Sequence, residues 1–279
     1  MLRNKRALIT AMGLLGGVGG SLVGELAGLY EFRGPVLSVI QMALWGMLFA
    51  GSILLSLSWG LELYAGKRRI AAADARRSIL SGGIAGAIGA SSAQLLFGVH
   101  HFNGVAAVLF HAVCWGLCGL ILGWRVAKSI PNLGSKRGTM AGFVGGFVGG
   151  LGFLAAATFL YDIVGRLVGL GIMGAALGFS IVTVEEFFRE AYLEITWRPK
   201  EVSRVSLGPV PITVGGGADN VFVATLKERA ATIKLDGDNV HVADHSTGTS
   251  AEYPDGASFA IGGVTMTVHI RKITVKTQK

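Results

Sequence analysis

The chain has 279 residues, of which 51% are hydrophobic, 15% are charged and 43 are glycine. Charged residues make up about 25% of an ordinary soluble domain, so this composition argues against a chain that is soluble throughout. The net charge of +8 does not indicate nucleic acid binding, because much of the basic excess flanks apolar segments and lacks interleaved aromatic residues.

Six apolar segments are each long enough to cross a membrane, which takes about 20 apolar residues in a helix. The predicted transmembrane helices are Ala7–Leu29, Leu37–Leu57, Ile79–Phe97, Val105–Val126, Met140–Leu160 and Ile163–Val184. The basic start of the chain is also typical of a signal peptide. Glycine-rich apolar sequence continues there without a small-x-small cleavage site, so we predict a retained helix.

Basic residues lie on alternate sides of these spans. The turns at residues 30–35, 99–104 and 161–166 contain only Arg33 and Arg166 as basic residues. The opposite ends of the spans carry Arg3, Lys5, Arg6, Lys67, Arg68, Arg69, Arg76, Arg77, Arg125, Lys128, Lys136 and Arg137. By the positive-inside rule, both termini and the two long loops are predicted to be cytoplasmic, in an inner (plasma) membrane of bacterial type.

A pattern recurs in three places, beginning at Lys5, Arg76 and Lys136: a basic pair, a short apolar step and glycines at helical spacing. Glycines four residues apart form a stripe on which a neighbouring helix backbone can pack closely. The predicted helix-packing residues are Gly16, Gly20, Gly24, Gly82, Gly86, Gly119, Gly123, Gly142, Gly146, Gly150, Gly174 and Gly178. The recurrence predicts three repeated helical hairpins in one orientation.

Beyond the sixth span, aromatic residues alternate irregularly with glutamate and arginine as far as Trp197. This pattern predicts an interfacial amphipathic helix and linker over residues 185–201, ended by Pro199. The predicted domains are therefore a six-span membrane domain over residues 1–184, this linker, and a separate domain over residues 202–279.

In residues 202–279 the hydrophobic period changes to two, and Gly, Asp and Pro separate the short apolar segments. The predicted strands contain Val205–Leu207, Ile212–Val214, Val221–Val223, Thr232–Leu235, Val240–Val242, Ser258–Ile261, Val264–Val268 and Ile273–Val275. Short strands at this spacing are typical of a small antiparallel β-sandwich.

Five motifs follow one another in this domain: Ile212–Gly216, Asp219–Val223, Arg229–Ile233, Asp244–Thr249 and Asp255–Gly262. In this order they resemble the motifs of a forkhead-associated (FHA) domain. The resemblance implies a β-sandwich that docks protein partners through its loops.

The phosphothreonine site of that family is degenerate in this chain. The family's arginine, serine and loop asparagine correspond to Gly216, Leu226 and Thr247, and Arg229 replaces its histidine. Since a phosphate dianion needs charge-assisted donors at fixed places, the resemblance implies protein contact without most of the phosphothreonine chemistry. The possible partner-binding residues are Gly216, Lys227, Arg229, Ser246 and Thr247.

Two groups of polar residues inside the predicted spans are candidates for chemistry. His111, Cys114 and Cys118 share a helix face, but no fourth ligand is evident, so we predict neither a metal nor another cofactor. Glu25 lies near the outer end of the first span, where it is predicted to pair with Arg33. A carboxylate at membrane depth is costly and often functional, so Glu25 is a possible ion-pathway residue.

The function predicted from these patterns is that of an integral membrane scaffold or adaptor. The bundle contacts lipid and assembles through glycine-packed helices, as a subunit of a larger membrane complex, and the FHA-like domain docks a protein partner. The alternative is a channel or small transporter subunit with a regulatory FHA-like domain. No enzyme motif is present, so we predict no catalytic activity, and we predict no nucleic acid partner.

Overall fold

The computed structural model describes residues 4–27, 34–99, 103–198 and 201–271. It has six long apolar helices followed by a β-sandwich of two sheets, which confirms the predicted fold class. The helices are α1 (Lys5–Ala27), α2 (Pro35–Tyr64), α3 (Ala72–Val99), α4 (Gly104–Ala127), α5 (Ser135–Phe159) and α6 (Asp162–Phe187). All six are long and apolar enough to cross a membrane, so the chain is a multi-pass membrane protein.

Helix α2 is longer than the predicted span. It begins at Pro35, where the missing N–H costs no helical hydrogen bond, and it continues for 30 residues to Tyr64. At 1.5 Å per residue this is about 45 Å, which exceeds the hydrocarbon thickness of roughly 30 Å. The end of α2 therefore leaves the apolar layer and reaches the sandwich.

The helices form a ring in the order α3, α2, α1, α6, α5, α4. Each neighbouring pair in this order packs extensively, whereas α3 and α4, which would close the ring, share far fewer contacts. We call this loosely packed boundary the α3–α4 seam.

The sandwich begins earlier than predicted. The interfacial helix predicted for residues 185–201 is wrong, because α6 ends at Phe187 and strand β1 runs from Ala191 to Arg198. Its residues alternate between buried and partly exposed, with Leu193 and Ile195 fully buried. Strands β2 and β9 pair with both edges of β1, so sheet pairing decides the conformation of a segment whose charges favour an amphipathic helix.

The nine strands form two sheets, in the orders β2-β1-β9-β8 and β4-β3-β5-β6-β7. All pairs are antiparallel except β3 with β4, which are parallel. The strands after β1 are β2 (Glu201–Leu207), β3 (Ile212–Gly215), β4 (Val221–Phe222), β5 (Ala231–Asp236), β6 (Asn239–Asp244), β7 (Thr249–Tyr253), β8 (Ser258–Ile261) and β9 (Val264–Ile270).

Strand β7 is absent from the predicted strands, because its sequence TSAEY is largely exposed at the sheet edge and carries no apolar alternation. The strand predicted at Ile273–Val275 lies outside the described residues. The core between the sheets contains fully buried Ile212, Ile233 and Met266.

Candidate functional sites in the bundle and the sandwich

The predicted packing glycines face neighbouring helices at short range. A Cβ atom added to any of the twelve would lie less than 3.0 Å from an atom of an adjacent helix. At Gly142 it would be 2.1 Å from the carbonyl oxygen of Gly119, and at Gly119 it would be 2.2 Å from that of Gly142. Such distances leave no room for a side chain on either helix.

The closest glycine crossings join different predicted hairpins. Gly13 of α1 meets Gly174 of α6, Gly46 of α2 meets Gly86 of α3, and Gly119 of α4 meets Gly142 of α5. The predicted stripe of α1, which consists of Gly16, Gly20 and Gly24, faces α2. Gly13 lies on the other face of α1, against α6, and is not among the predicted packing glycines. The ring is thus held by close contacts between hairpins as well as within them.

Large side chains fill the centre of the bundle. Phe49, Leu122, Met173 and Leu177 are buried in one continuous apolar cluster, against which Trp115 packs. The space left between them is about 10 Å³, about the volume a single water probe occupies. In this structure the bundle centre therefore separates the cavities at its two ends.

A cavity of about 500 Å³ lies at the end of the bundle away from the sandwich, lined mainly by residues of α2, α3 and α4. Aromatic side chains form much of its wall, including Trp45, Trp115 and Phe153. Its polar residues include Glu25 and Arg166, which form an ion pair. A volume of this size matches that of small-molecule sites, which run from about 300 to 1,000 Å³.

Glu25 pairs with Arg166 across the α1–α6 interface. The Arg166 Nε donates to Oε1 of Glu25 at 2.6 Å, and a terminal nitrogen donates to Oε2 at 3.0 Å. The two residues are 141 positions apart in the chain, and apart from the position of Arg166 in the outer turn no sequence pattern predicts their contact. The predicted partner Arg33 lies outside the described residues.

The His111, Cys114 and Cys118 face borders the same cavity. Nδ1 of His111 lies 3.0 Å from the carbonyl oxygen of Ala107, one turn earlier in α4. Cys118 is buried against Gly89 of α3, where a Cβ atom would overlap its sulfur. Within the described ranges no group of three or more His, Cys, Asp or Glu side chains is arranged to hold a metal ion.

A buried ion network joins the bundle to the sandwich. Glu185 accepts hydrogen bonds from Lys5 Nζ at 2.6 Å, Arg189 at 3.0 Å and the Ser206 hydroxyl at 2.6 Å. The Lys5 and Arg189 side chains are each only 9% exposed, and that of Glu185 is 1% exposed. We call this group the Glu185 network. Its members come from α1, α6, the α6–β1 connection and β2.

Further hydrogen bonds add to this junction. The Tyr64 hydroxyl at the end of α2 accepts a hydrogen bond from the Arg204 N–H at 2.7 Å. The Asn132 side chain, in the α4–α5 loop, exchanges two hydrogen bonds of 3.0 Å with the backbone of Val210. The Phe222 N–H donates to the carbonyl oxygen of Ala65 at 3.3 Å. Together with Lys5 of α1, the end of α2 and the α4–α5 loop therefore hold the sandwich to the bundle, in addition to the chain connection.

The five possible partner-binding residues lie in loops at one end of the five-stranded sheet, where its strands begin or finish. The pairs Val214 with Ala231, Ala231 with Asp244, and Asp244 with Thr249 place the loops after β3, before β5 and after β6 at the same end. We call this end the loop edge; it consists of residues 216–220, 223–230 and 245–248. Lys227, Arg229, Ser246 and Thr247 are exposed there, and Gly216 is partly exposed.

Asp219 organises the loop edge from within. It is 2% exposed, and its carboxylate accepts backbone hydrogen bonds from Gly217 at 3.1 Å and from Arg229 at 3.2 Å. Arg229 has a positive φ of 50°, which is uncommon for a residue other than glycine. The Asp219 bonds hold this backbone in place, while the Arg229 side chain points into solvent.

Asp244 orders the other loop. It accepts hydrogen bonds from the Ser246 hydroxyl at 2.5 Å, the Ser246 N–H at 2.8 Å and the Thr247 N–H at 3.3 Å. The hydrogen bond from the Ser246 hydroxyl is the main cause that lowers the pKa of Asp244 below its ordinary value. The Ser246 hydroxyl is thus engaged with Asp244, whereas the Lys227 and Arg229 side chains remain exposed.

Comparison of the chain with protein-family models, with curated proteins and with solved structures gives no match.

Proposed function

We propose that the protein is a membrane scaffold or adaptor whose sandwich docks a protein partner at the loop edge. The observation that carries the proposal is that the five residues named from the FHA resemblance meet at one edge. The positive-inside pattern supports a cytoplasmic sandwich on a bacterial-type inner membrane. The bundle serves as the anchor, and the Glu185 network keeps the sandwich at a fixed position on it.

The chemistry of the loop edge favours an acidic protein segment. Lys227 and Arg229 are exposed two positions apart in the loop before β5, so their charge is available to carboxylates of a partner. The positions that correspond to the family's phosphothreonine donors hold Gly216, Leu226 and Thr247. A partner is therefore expected to bind without phosphorylation.

Neutralising the loop edge is expected to release the partner. In the full chain, Lys227→Gln with Arg229→Gln should lower recovery of cross-linked partners roughly tenfold, as for charged contacts at a protein interface. Quantitative mass spectrometry after cross-linking in native membranes measures this. The matched control is Lys234→Gln with Arg198→Gln, which removes the same charge from the sandwich outside the loop edge.

Phosphatase treatment of the membranes before cross-linking is expected to leave recovery unchanged. If the loop-edge variant recovers the same partners as the control, docking at this edge is wrong. If phosphatase abolishes recovery, the partner is phosphorylated, and the interpretation of the phosphothreonine site as degenerate is wrong.

A second candidate function, transport, is favoured by the cavity that contains Glu25 and Arg166. A charged pair beside a cavity of about 500 Å³ is a feature of solute pathways as well as of packing. The closed centre at Phe49 and Leu122 favours the scaffold. Reconstituted protein is therefore expected to show no ion or lipid flux, and robust flux that is lost in Glu25→Ala would replace the scaffold with a transporter.

A further inference from the structure

The α3–α4 seam opens on the sandwich side into a second cavity of about 730 Å³. This cavity lies between the ends of α2, α3 and α4 and the surface of the sandwich. Serines and basic residues from both sides of the seam line it, among them Arg77 and Ser81 of α3 and Arg125 of α4.

Basic side chains bridge the mouth of the seam. The Arg125 Nε donates to the Ser81 hydroxyl at 3.2 Å, across the boundary between α4 and α3. Arg77 lies one turn before Ser81 on α3, and Lys128 follows Arg125 at the end of α4. The Lys128 ammonium lies 3.6 Å from the centre of the Trp124 ring. Cations from two helices therefore converge at one opening.

These cations are largely free of anionic partners. Across the described ranges, no carboxylate lies within 4.0 Å of the charged nitrogens of Arg125 or Lys128. Among the described residues, the only carboxylate so close to Arg77 is that of Asp74, at 3.9 Å, and both side chains are more than half exposed. Of the other acidic residues that line the cavity, Glu62 is bonded to Lys67 at 2.7 Å. Arg125 and Lys128 therefore give the mouth positive charge that no carboxylate of the described residues neutralises at contact distance.

The surroundings of the mouth indicate that a ligand enters from the bilayer. Ile79 is 46% exposed, Leu80 54% and Trp124 41%, and all three lie within one turn of the basic residues. Exposed apolar side chains at this depth face lipid, and tryptophan and lysine at a helix end are typical of the headgroup region. An anion bound by Arg77, Arg125 and Lys128 would be level with the lipid phosphates of the sandwich-side leaflet.

We propose that this mouth binds the phosphate headgroup of an anionic phospholipid from that leaflet. The phosphate oxygens accept charge-assisted hydrogen bonds from Arg125 and Lys128, and Arg77 approaches from α3. The acyl chains lie along the loosely packed seam, beside Leu80. Basic pockets between transmembrane helices are suited to such headgroups. Because an anionic headgroup carries a net negative charge and a zwitterionic one does not, the basic pocket selects anionic lipid.

Native mass spectrometry of the purified full chain tests the site by counting bound lipid. Phosphatidylglycerol is expected to be retained in preference to phosphatidylcholine. Arg125→Gln with Lys128→Gln should reduce that preference roughly thirtyfold, the effect of two basic side chains near an anionic surface. The matched control, Arg69→Gln with Lys136→Gln, removes two exposed charges from the same side of the bundle but away from the seam. It should change the preference little.

Three results would overturn the proposal. Equal loss in the control would show diffuse surface attraction, and equal retention of phosphatidylcholine would show no headgroup selection. Competition by soluble glycerol phosphate would identify a water-soluble phosphate ester as the ligand instead. A photoactivatable phosphatidylglycerol avoids reliance on the variants: in the unaltered protein it should cross-link to residues 77–81 and 124–129, and cross-linking only elsewhere would rule the site out.

Discussion

Replacing Gly142 with alanine is expected to destabilise the bundle by on the order of 3 kcal/mol or more. The added methyl group would lie 2.1 Å from the Gly119 carbonyl oxygen and 2.7 Å from the Gly123 Cα. Both obstacles belong to the backbone of α4, so neither can move aside by a rotamer change. The α4 and α5 helices must separate instead, which loosens packing along the whole interface.

Gly19→Ala is the matched control for this change. Gly19 also lies inside a transmembrane helix, but a Cβ atom there meets nothing within 4 Å. Alanine has the higher helix propensity by about 1 kcal/mol in soluble hosts, so this variant should be neutral or slightly more stable. Thermal unfolding of the purified variants in detergent, followed by size-exclusion chromatography, measures the difference.

Membrane insertion should be normal in both variants, because neither substitution makes the span less apolar. The bulkier Gly146→Leu should act in the same direction as Gly142→Ala with a larger effect, since its Cβ alone would lie 2.4 Å from the Trp115 carbonyl oxygen. If Gly142→Ala unfolded at the same temperature as Gly19→Ala, the glycines would not determine the α4–α5 packing.

Glu185→Gln is expected to destabilise the junction between bundle and sandwich by roughly 3–5 kcal/mol. The change keeps the size of the side chain but removes the charge that both Lys5 and Arg189 contact. Two cations that are each only 9% exposed would then remain close together without a counter-charge. We expect the sandwich to detach from the bundle before either domain unfolds.

Hydrogen exchange at Ser206 and protease cleavage between Phe187 and Ala191 would report this detachment. Glu186→Gln is the control, because Glu186 pairs with Arg6 at the surface, where the Arg6 side chain is 48% exposed. An exposed pair contributes about 0–1 kcal/mol, so hydrogen exchange at Ser206 should barely change in Glu186→Gln. Equal protection in Glu185→Gln and Glu186→Gln would contradict the role of the Glu185 network.

A triple variant separates charge imbalance from lost attraction. Lys5→Met, Glu185→Leu and Arg189→Met together replace the ions by apolar side chains of similar size. Such replacement of a buried ionic group is often neutral or stabilising. Recovery of protection in the triple variant would therefore show that the penalty in Glu185→Gln arises from the unpaired cations.

The sequence alone determined the features that depend on local pattern. Apolar length gave the six helices, and the change of period to two gave the sandwich, because membrane burial and strand pleating each impose a repeat on neighbouring residues. The order of turn motifs also named Lys227, Arg229 and Ser246, which lie together at the loop edge. Strand β1 could not be predicted in this way, because its pairing with β2 and β9 decides its conformation against its charge pattern.

Only the tertiary structure decided which helices meet and which charges pair. Lys5 and Glu185 are 180 residues apart, and Glu25 finds its partner in Arg166, so no local spacing could predict either contact. A glycine stripe shows that a close neighbour is possible but not which one, because backbone carbonyls are the same on every helix. The ring order and the loosely packed α3–α4 seam follow from how well whole helix faces fit together.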